Sequence, residues 1–315
     1  MKVIYLNEEN MIALEPSCVA LGFFDGMHLG HQKLIDEVLK VSKIKNLKKG
    51  LLTFDVHPKS YLLDSSFKYL MSLEDKIEFL EKLNFDYLFV LRFNHQLASK
   101  EPRQFIDEFI IKPKIKHVVC GFDFHFGNHG SGDSVYLKNN RNNDYEISII
   151  DKLEYEQHKI SSSYLRQVLS NGQVELASQL LGRQYQVTGK VVHGRENGRK
   201  IGFPTINVAA IDYVLPKNGV YGAKVIIDGK EYIGMANLGY NPTFTALKQA
   251  SLEVNIFDFD QNVYGKQVNV MFIKHIRSEK KFPSINDLIE QLNKDKQQII
   301  CLLYTSDAAD ELDGV

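Results

Sequence analysis

The chain has 315 residues, 44% of them hydrophobic and 24% charged, with Lys+Arg 38 against Asp+Glu 39. At about 150 residues per domain this length suggests two domains, and the composition excludes a chain that is disordered as a whole. A net charge of −1 argues against a broad electrostatic footprint for nucleic acid, and no apolar run approaches the length of a membrane span. The cysteines Cys18, Cys120 and Cys301 show no C-x-x-C spacing, which points away from disulfides or structural zinc and towards a reducing cytoplasm. Glu8 and Glu9 interrupt the N-terminus before any long apolar stretch, so it does not read as a signal peptide.

Short apolar runs alternate with helical patterns through the first half. Ser17 to Gly22 reads as a buried strand, and Leu34, Ile35, Val38, Leu39 and Val41 follow at helical spacing. Leu51 to Phe54 is a second strand. Ser72-Leu73-Glu74-Asp75 is a helix cap with an acid three residues on, ahead of Ile77, Phe79, Leu80 and Leu83. Tyr87 to Leu91 is a third strand, Pro102 suits a helix's first turn, and His117 to Cys120 and Ile147 to Ile150 complete the set. Such alternation predicts a parallel sheet that binds ligands at the carboxyl ends of its strands.

Beyond about residue 183 the pattern becomes antiparallel. Gln184 to Val192, Val220 to Ile227, Tyr232 to Asn237, Leu252 to Phe257 and Gln267 to Phe272 are strand-like, with turns such as Asp228-Gly229 between them. A helix from about Ser284 to Ile300, capped by Ser284, closes a barrel or sandwich. The predicted domains are 1–183 and 184–303, with the break between Leu181 and Tyr185. Residues 304–315 carry four acids, no base and no apolar period, and resemble translated adapter sequence or an acidic disordered tail.

Two constellations carry chemistry. In the first, Phe23-Phe24-Asp25-Gly26-Met27-His28-Leu29-Gly30-His31 leaves the first strand and opens the first helix. Helix N-terminal amides and two imidazoles three residues apart suit phosphate oxygens, and Gly30 admits a nucleotide close to the backbone. The reaction that fits is attack on the α-phosphate of a nucleoside triphosphate, where positioning and charge supply most of the catalysis. Ser161, Ser162 and Arg166 read either as a phosphate clamp or as an ordinary serine cap with a solvated arginine. The Thr53 to Pro58 loop, with Asp55 and His57, is a candidate substrate loop, and Gly121 to Gly127 offers aromatics for stacking a flat ring.

The second constellation is the glycine-rich basic loop from Gly194 to Gly202 and the strand that carries Thr205 and Asn207. No G-x-x-x-x-G-K-[ST] occurs, so this is not a P-loop. Thr205 and Asn207, two apart on a strand, share a face and could complete a Mg²⁺ shell held mainly by ATP phosphates and water. Glu253, amid apolar strand residues, is either a general base for an alcohol attacking a γ-phosphate or a cross-strand partner of a lysine or arginine.

Taken in order along the chain, these motifs resemble the bifunctional riboflavin kinase/FMN adenylyltransferase family, the prokaryotic FAD synthetases. The likeness runs from about Val3 to Ile300 and includes Gly22 to His31, Thr53 to Pro58, Gly121 to Gly127, Ile160 to Arg166, Leu181 to Tyr185, Gly202 to Asn207, Gly219 to Tyr221, Asn237 to Phe244, Leu252 to Asp260, Tyr264 to Lys266 and Ile276-Arg277. The resemblance implies an N-terminal Rossmann-like nucleotidyltransferase domain and a C-terminal antiparallel β-barrel kinase domain closed by a helix. It implies that riboflavin and ATP give FMN, and that FMN and ATP give FAD and pyrophosphate, with Mg²⁺ as cofactor. It assigns His28, His31, Asp123, Ser161, Ser162 and Arg166 to adenylyl transfer, Thr205 and Asn207 to Mg-ATP, and Glu253 to the base. Gly22, Phe24, Asp25, Gly30, Gly194 and Gly202 are expected to bind ATP, and Asp55, His57, Pro58, Asp123, Phe124 and Arg277 the flavin. The expected partners are these small molecules alone, with the chain a monomer or weak homo-oligomer. Asn255, Ile206, Val56 and His129 depart from the family's usual residues. A monofunctional nucleotidyltransferase and a non-catalytic flavin-binding protein are the competing readings.

Overall fold

A computed structural model describes residues 1–6, 14–63, 67–194, 197–210, 212–240 and 250–310. The chain forms two compact units, Met1–Ser162 and Ser163–Val315.

The first unit contains strands β1 (Lys2–Leu6), β2 (Ser17–Leu21), β3 (Lys48–Phe54), β4 (Tyr87–Leu91) and β5 (Ile115–Gly121), then the short hairpin strands β6 (His125–Phe126) and β7 (Gly132–Asp133), β8 (Glu146–Ile150), and a second hairpin of β9 (Glu154–Tyr155) and β10 (His158–Lys159). Its helices are α1 (Leu29–Lys45), α2 (Pro58–Leu63), α3 (Leu73–Lys82), α4 (His95–Ala98), α5 (Pro102–Ile106) and α6 (Ser134–Asn139). Six strands form one sheet in the order β1-β4-β3-β2-β5-β8, every pair parallel, as strand–helix alternation predicts. β2 and β4 are wholly buried, because helices cover both faces of such a sheet. One face packs Val19, Leu21, Phe89 and Cys120 with Phe105 and Ile110, and the other packs Cys18, Ala20, Leu51 and Leu88 with Ile35, Val38 and Leu80. The edge strand β1 is an addition to the predicted set.

The order reverses at β2, which has β3 on one side and β5 on the other. Loops that leave such a switch point diverge and open a crevice at the carboxyl ends. Two caps predicted from sequence set the helices around it. Ser72 and Asp75 form a reciprocal capping box on α3, and Pro102 occupies the first turn of α5.

In the second unit α7 (Ser162–Ser170) and α8 (Val174–Leu181) precede β11 (Tyr185–Val192), α9 (Asn197–Lys200), β12 (Ile206–Ala209), β13 (Gly219–Ile227), β14 (Lys230–Tyr240), β15 (Ala250–Ile256), β16 (Gln267–Arg277) and α10 (Ile285–Asp310). The strands close into an antiparallel barrel in the order β11-β12-β15-β14-β13-β16. Inward residues alternate along each strand, with Tyr185, Val187 and Val191 buried on β11 and Val268, Val270 and Phe272 on β16. Asp228 and Gly229, both with positive φ, make the predicted two-residue turn between β13 and β14.

By packing, the compact units part at Ser162/Ser163, ahead of the helices that lead into the barrel. α8 packs against β11 and β16, and Lys217 N–H donates to Leu169 O of α7 at 2.9 Å, which ties these helices to the barrel. The last helix continues to Asp310 rather than stopping near Ile300. Ile299 and Leu303 are its last described core residues, and residues 311–315 lie outside the described set.

Ending the chain after Leu303 is expected to leave thermal stability within about 1 kcal/mol of the full chain, since both core residues remain. Ending it after Gln298 removes them and is expected to cost about 3 kcal/mol or more, read as a lower unfolding midpoint of the barrel.

Candidate active sites

The turn between β2 and α1 is built against its own backbone preferences. Phe24 and Met27, neither a glycine, hold φ 55 and 44, conformations that cost an L residue about 1 kcal/mol or more each. Both are almost wholly buried, and four neighbours hold the turn in place. Thr53 Oγ1 donates to Phe23 O at 2.9 Å, and Lys76 Nζ donates to the same carbonyl at 2.7 Å. Leu70 N–H donates to Asp25 Oδ1 at 2.8 Å, and Ser162 Oγ donates to Asp25 O at 2.9 Å.

Held in this way, the turn ends with His28 as the N-cap of α1. Its Nδ1 accepts the His31 backbone N–H at 3.2 Å, so the neutral His28 ring carries its proton on Nε2. The His31 ring stacks on it, with centroids 3.6 Å apart and planes 13° from parallel. Burial, the adjacent His28, and Lys76 and Lys159 all disfavour a charged His31 and put its pKa well below the usual 6.5. His31 Nδ1 is shut off from solvent and has no hydrogen-bond partner among the described residues.

Both imidazoles line a cavity of about 360 Å³ at the carboxyl ends of β2, β3, β5 and β8. Gly22, Phe24, Gly30, Ser161, Ser162, His57, Pro58, Asp123 and Phe124 line it too. His57 stacks on Phe67 at 4.3 Å and meets the edge of Phe23 at 4.6 Å. Asp123 forms an ion pair with Lys159, whose ammonium also lies over the Phe122 ring.

Three expected members, Asp25, Asp55 and Arg166, are not among the residues that line the cavity. Asp25 is buried beneath the turn as a backbone acceptor. Asp55 Oδ1 accepts the N–H groups of Val56 and Phe93 at 2.7 and 2.8 Å, which fixes the loop after β3. Arg166 lies one turn along α7 from Ser162, within the second unit. Sequence reasoning missed Lys76, Phe67 and Lys159. For Lys76 the signal was present: it stands four residues before the buried Leu80, on the apolar stripe of α3.

The barrel site is assembled by register. Glu253 on β15 lies directly between Asn207 on β12 and Asn237 on β14, and its Oε2 is 3.5 Å from Thr205 Oγ1. Gly194 backs this group so closely that a Cβ there would come within 2.1 Å of Asn207 Nδ2, which only glycine permits. Thr205 also lines a second cavity of about 550 Å³ with Arg199, Pro204, Asp260 and Tyr264. Asn255, one of the departures, is buried and donates from Nδ2 to Pro204 O at 2.6 Å, pinning the approach to Thr205. Gly202 takes φ +81 in the turn before it. Arg195, Glu196 and Asn241 to Phe244 lie outside the described residues.

Arg277, expected to contact the flavin, also pairs with the last helix. Its Nε donates at 2.8 Å to Asp295 of α10, a carboxylate 1% exposed that also accepts from Gln291 Nε2 at 2.8 Å.

An α/β unit with imidazoles at a switch-point cavity, joined to a barrel with one strand carboxylate among neutral oxygens, defines a two-site transferase that handles phosphates. The FAD synthetase family model matches residues 11–164, and the riboflavin kinase model matches 181–303. A bifunctional riboflavin kinase/FMN adenylyltransferase of Bacillus subtilis (strain 168) is 43% identical over 308 residues, covering 95% of this chain and 98% of the relative. The Listeria monocytogenes protein of the same name is 41% identical over 282 residues, covering 89% and 90%. A crystal structure described as a macrolide-efflux protein from Streptococcus pneumoniae is 35% identical, with TM-score 0.86 over 94% of this chain and 97% of that one. The chain belongs to the bifunctional riboflavin kinase/FMN adenylyltransferase family. No helix among the described residues is long and apolar enough to cross a membrane.

Two predictions follow from the charges. Arg277→Ala strands the buried Asp295 carboxylate and is expected to cost about 3 kcal/mol; thermal unfolding reads this, while a flavin KM measured below the midpoint stays within about twofold. Burial lowers the pKa of Lys76 from its usual 10.5 to about 8, the charge of Asp25 opposing the shift. Between those values the unfolded chain holds the extra proton, so this group adds stability as pH rises from about 8. Denaturant unfolding from pH 7 to 10 is expected to show that rise in the native chain and to lose it in Lys76→Met.

Proposed function

We propose that the two sites run the family's two reactions in sequence on flavin. In the barrel, Glu253 accepts the proton of the riboflavin 5′-hydroxyl as its oxygen attacks the γ-phosphorus of ATP. The bond to the β,γ-bridging oxygen breaks, giving FMN and ADP. An alcohol is a poor nucleophile at neutral pH, so a carboxylate is wanted here. The observation that carries this reading is the register that sets Glu253 beside Asn207 with the Thr205 hydroxyl in reach. Thr205 and Asn207 are the residues that would hold Mg²⁺. Their hard, neutral oxygens suit that ion when phosphates and water supply its other ligands. Bound there, Mg²⁺ would neutralise phosphate charge.

In the α/β unit, FMN phosphate attacks the α-phosphorus of ATP and pyrophosphate leaves, giving FAD. The nucleophile is already an anion, so no base is required. What the step needs is donors for the oxygens that gain charge. His28 Nε2–H, the amides at the start of α1, the Ser161 hydroxyl and the backbone at Ser162 are assigned that role, the Ser162 hydroxyl being given to Asp25 O. A His31 held neutral avoids repelling Lys159 at the same cavity. The ring cluster of Phe23, His57 and Phe67 is assigned to the isoalloxazine. Free cysteines, Cys18 and Cys120 among them buried, support a reducing cytoplasm as the setting.

Chromatography of flavins after incubation with ATP and Mg²⁺ tests both assignments. Glu253→Gln is expected to abolish FMN formation from riboflavin and to leave FAD formation from supplied FMN unchanged. His28→Ala is expected to lower FAD formation by about 10²-fold while FMN formation persists. Loss of both products in either variant overturns the division of labour.

A further inference from the structure

Lys76 is 2% exposed, an expensive place for an ammonium group. The capping box that starts α3 fixes its position, since Lys76 N–H donates to Ser72 O at 3.1 Å in the first helical turn. From there its stem runs inward and Nζ lies 4.2 Å from the Phe23 ring centroid. Nζ donates to Phe23 O at 2.7 Å and lies 3.4 Å from Thr53 Oγ1, which donates to the same carbonyl. Lys76 is not among the residues that line the cavity, so it reaches substrate only through the turn. Packing alone would be served as well by methionine at this volume, so what the ammonium adds is its hold on the Phe23 carbonyl and the turn that follows.

We infer that Lys76 is a positioning residue for adenylyl transfer: its buried ammonium locks the Phe23 carbonyl, and with it the strained turn that presents His28 and His31 to the cavity. The turn carries two non-glycine residues at positive φ, so without its tethers it relaxes towards ordinary backbone and the stacked rings move with it. Ground-state binding through the remaining cavity wall persists, while alignment on the α-phosphate is lost. The cost therefore falls on kcat more than on KM.

This inference rests on the adenylyl-transfer reading of the first site, and the full chain separates the two. FAD formation from FMN and FMN formation from riboflavin are measured for the native chain, Lys76→Met and Lys76→Gln, at a temperature below every unfolding midpoint so that all chains are folded. A native chain that makes no FAD from FMN sinks the functional reading, whatever Lys76 does. With an active native chain, Lys76→Met is expected to lower kcat for FAD formation about tenfold or more, to leave the KM for FMN and ATP within about threefold, and to leave FMN formation unchanged. Lys76→Gln keeps one N–H for Phe23 O and is expected to recover part of the lost kcat. Native kcat in Lys76→Met, or a raised KM with native kcat, overturns the inference. Should Lys76→Met not fold, native kcat in Lys76→Gln overturns it and a reduced kcat at unchanged KM supports it.

Discussion

The first site depends on one carbonyl. Phe23 O receives Thr53 Oγ1 and Lys76 Nζ, and it sits at the head of a turn that would not hold its shape alone. Phe24 at φ 55 and Met27 at φ 44 store strain that only contacts from outside the turn can sustain. Those contacts come from β3, α3, the segment before α3, and the serine that opens α7. β3 and α3 are placed by the parallel sheet, so the sheet's order is what lets their tethers converge on the turn. The imidazoles are thus held by topology as much as by their own cap.

Some of this was legible in the sequence and some was not, for definable reasons. Strand–helix alternation implied a parallel sheet, and strand-like runs divided by tight turns implied an antiparallel barrel or sandwich, which the structure resolves as a closed barrel. His28 and His31 were legible because a helix N-terminus fixes what three-residue spacing means. Glu253 was ambiguous until register paired it with Asn207, and register depends on the whole barrel. Asp25 and Arg277, both expected at ligands, also have partners within the fold. Asp25 accepts the Leu70 amide and Arg277 pairs with Asp295. A motif constrains which residues stand at a site without saying which of them face the ligand. Lys76 was hidden by the opposite error, a polar residue passed over because its helix reads as amphipathic.

Leu181 to Tyr185 is where the periodicity changes and where the match to the riboflavin kinase model begins, while α7 and α8 pack with the barrel that follows them. Periodicity reports the kind of element, and packing decides its membership.

The two sites handle charge in contrasting ways, and their nucleophiles account for the contrast. An attacking phosphate is already anionic and needs cations and donors around it; the α/β cavity is lined by imidazoles and by Lys152 and Lys159, and of its two lining carboxylates, Asp123 and Asp151, the first is paired to Lys159. An attacking alcohol must lose a proton, so the barrel sets a carboxylate between two asparagines and beside a hydroxyl. In the proposed reaction Glu253 takes that proton, and its cross-strand neighbours Asn207 and Asn237 are neutral. Had β15 been shifted by one residue, Glu253 would have exchanged faces with Leu252 or Val254, both buried in the barrel. Burial of those apolar neighbours therefore enforces the register on which the placement of Glu253 rests.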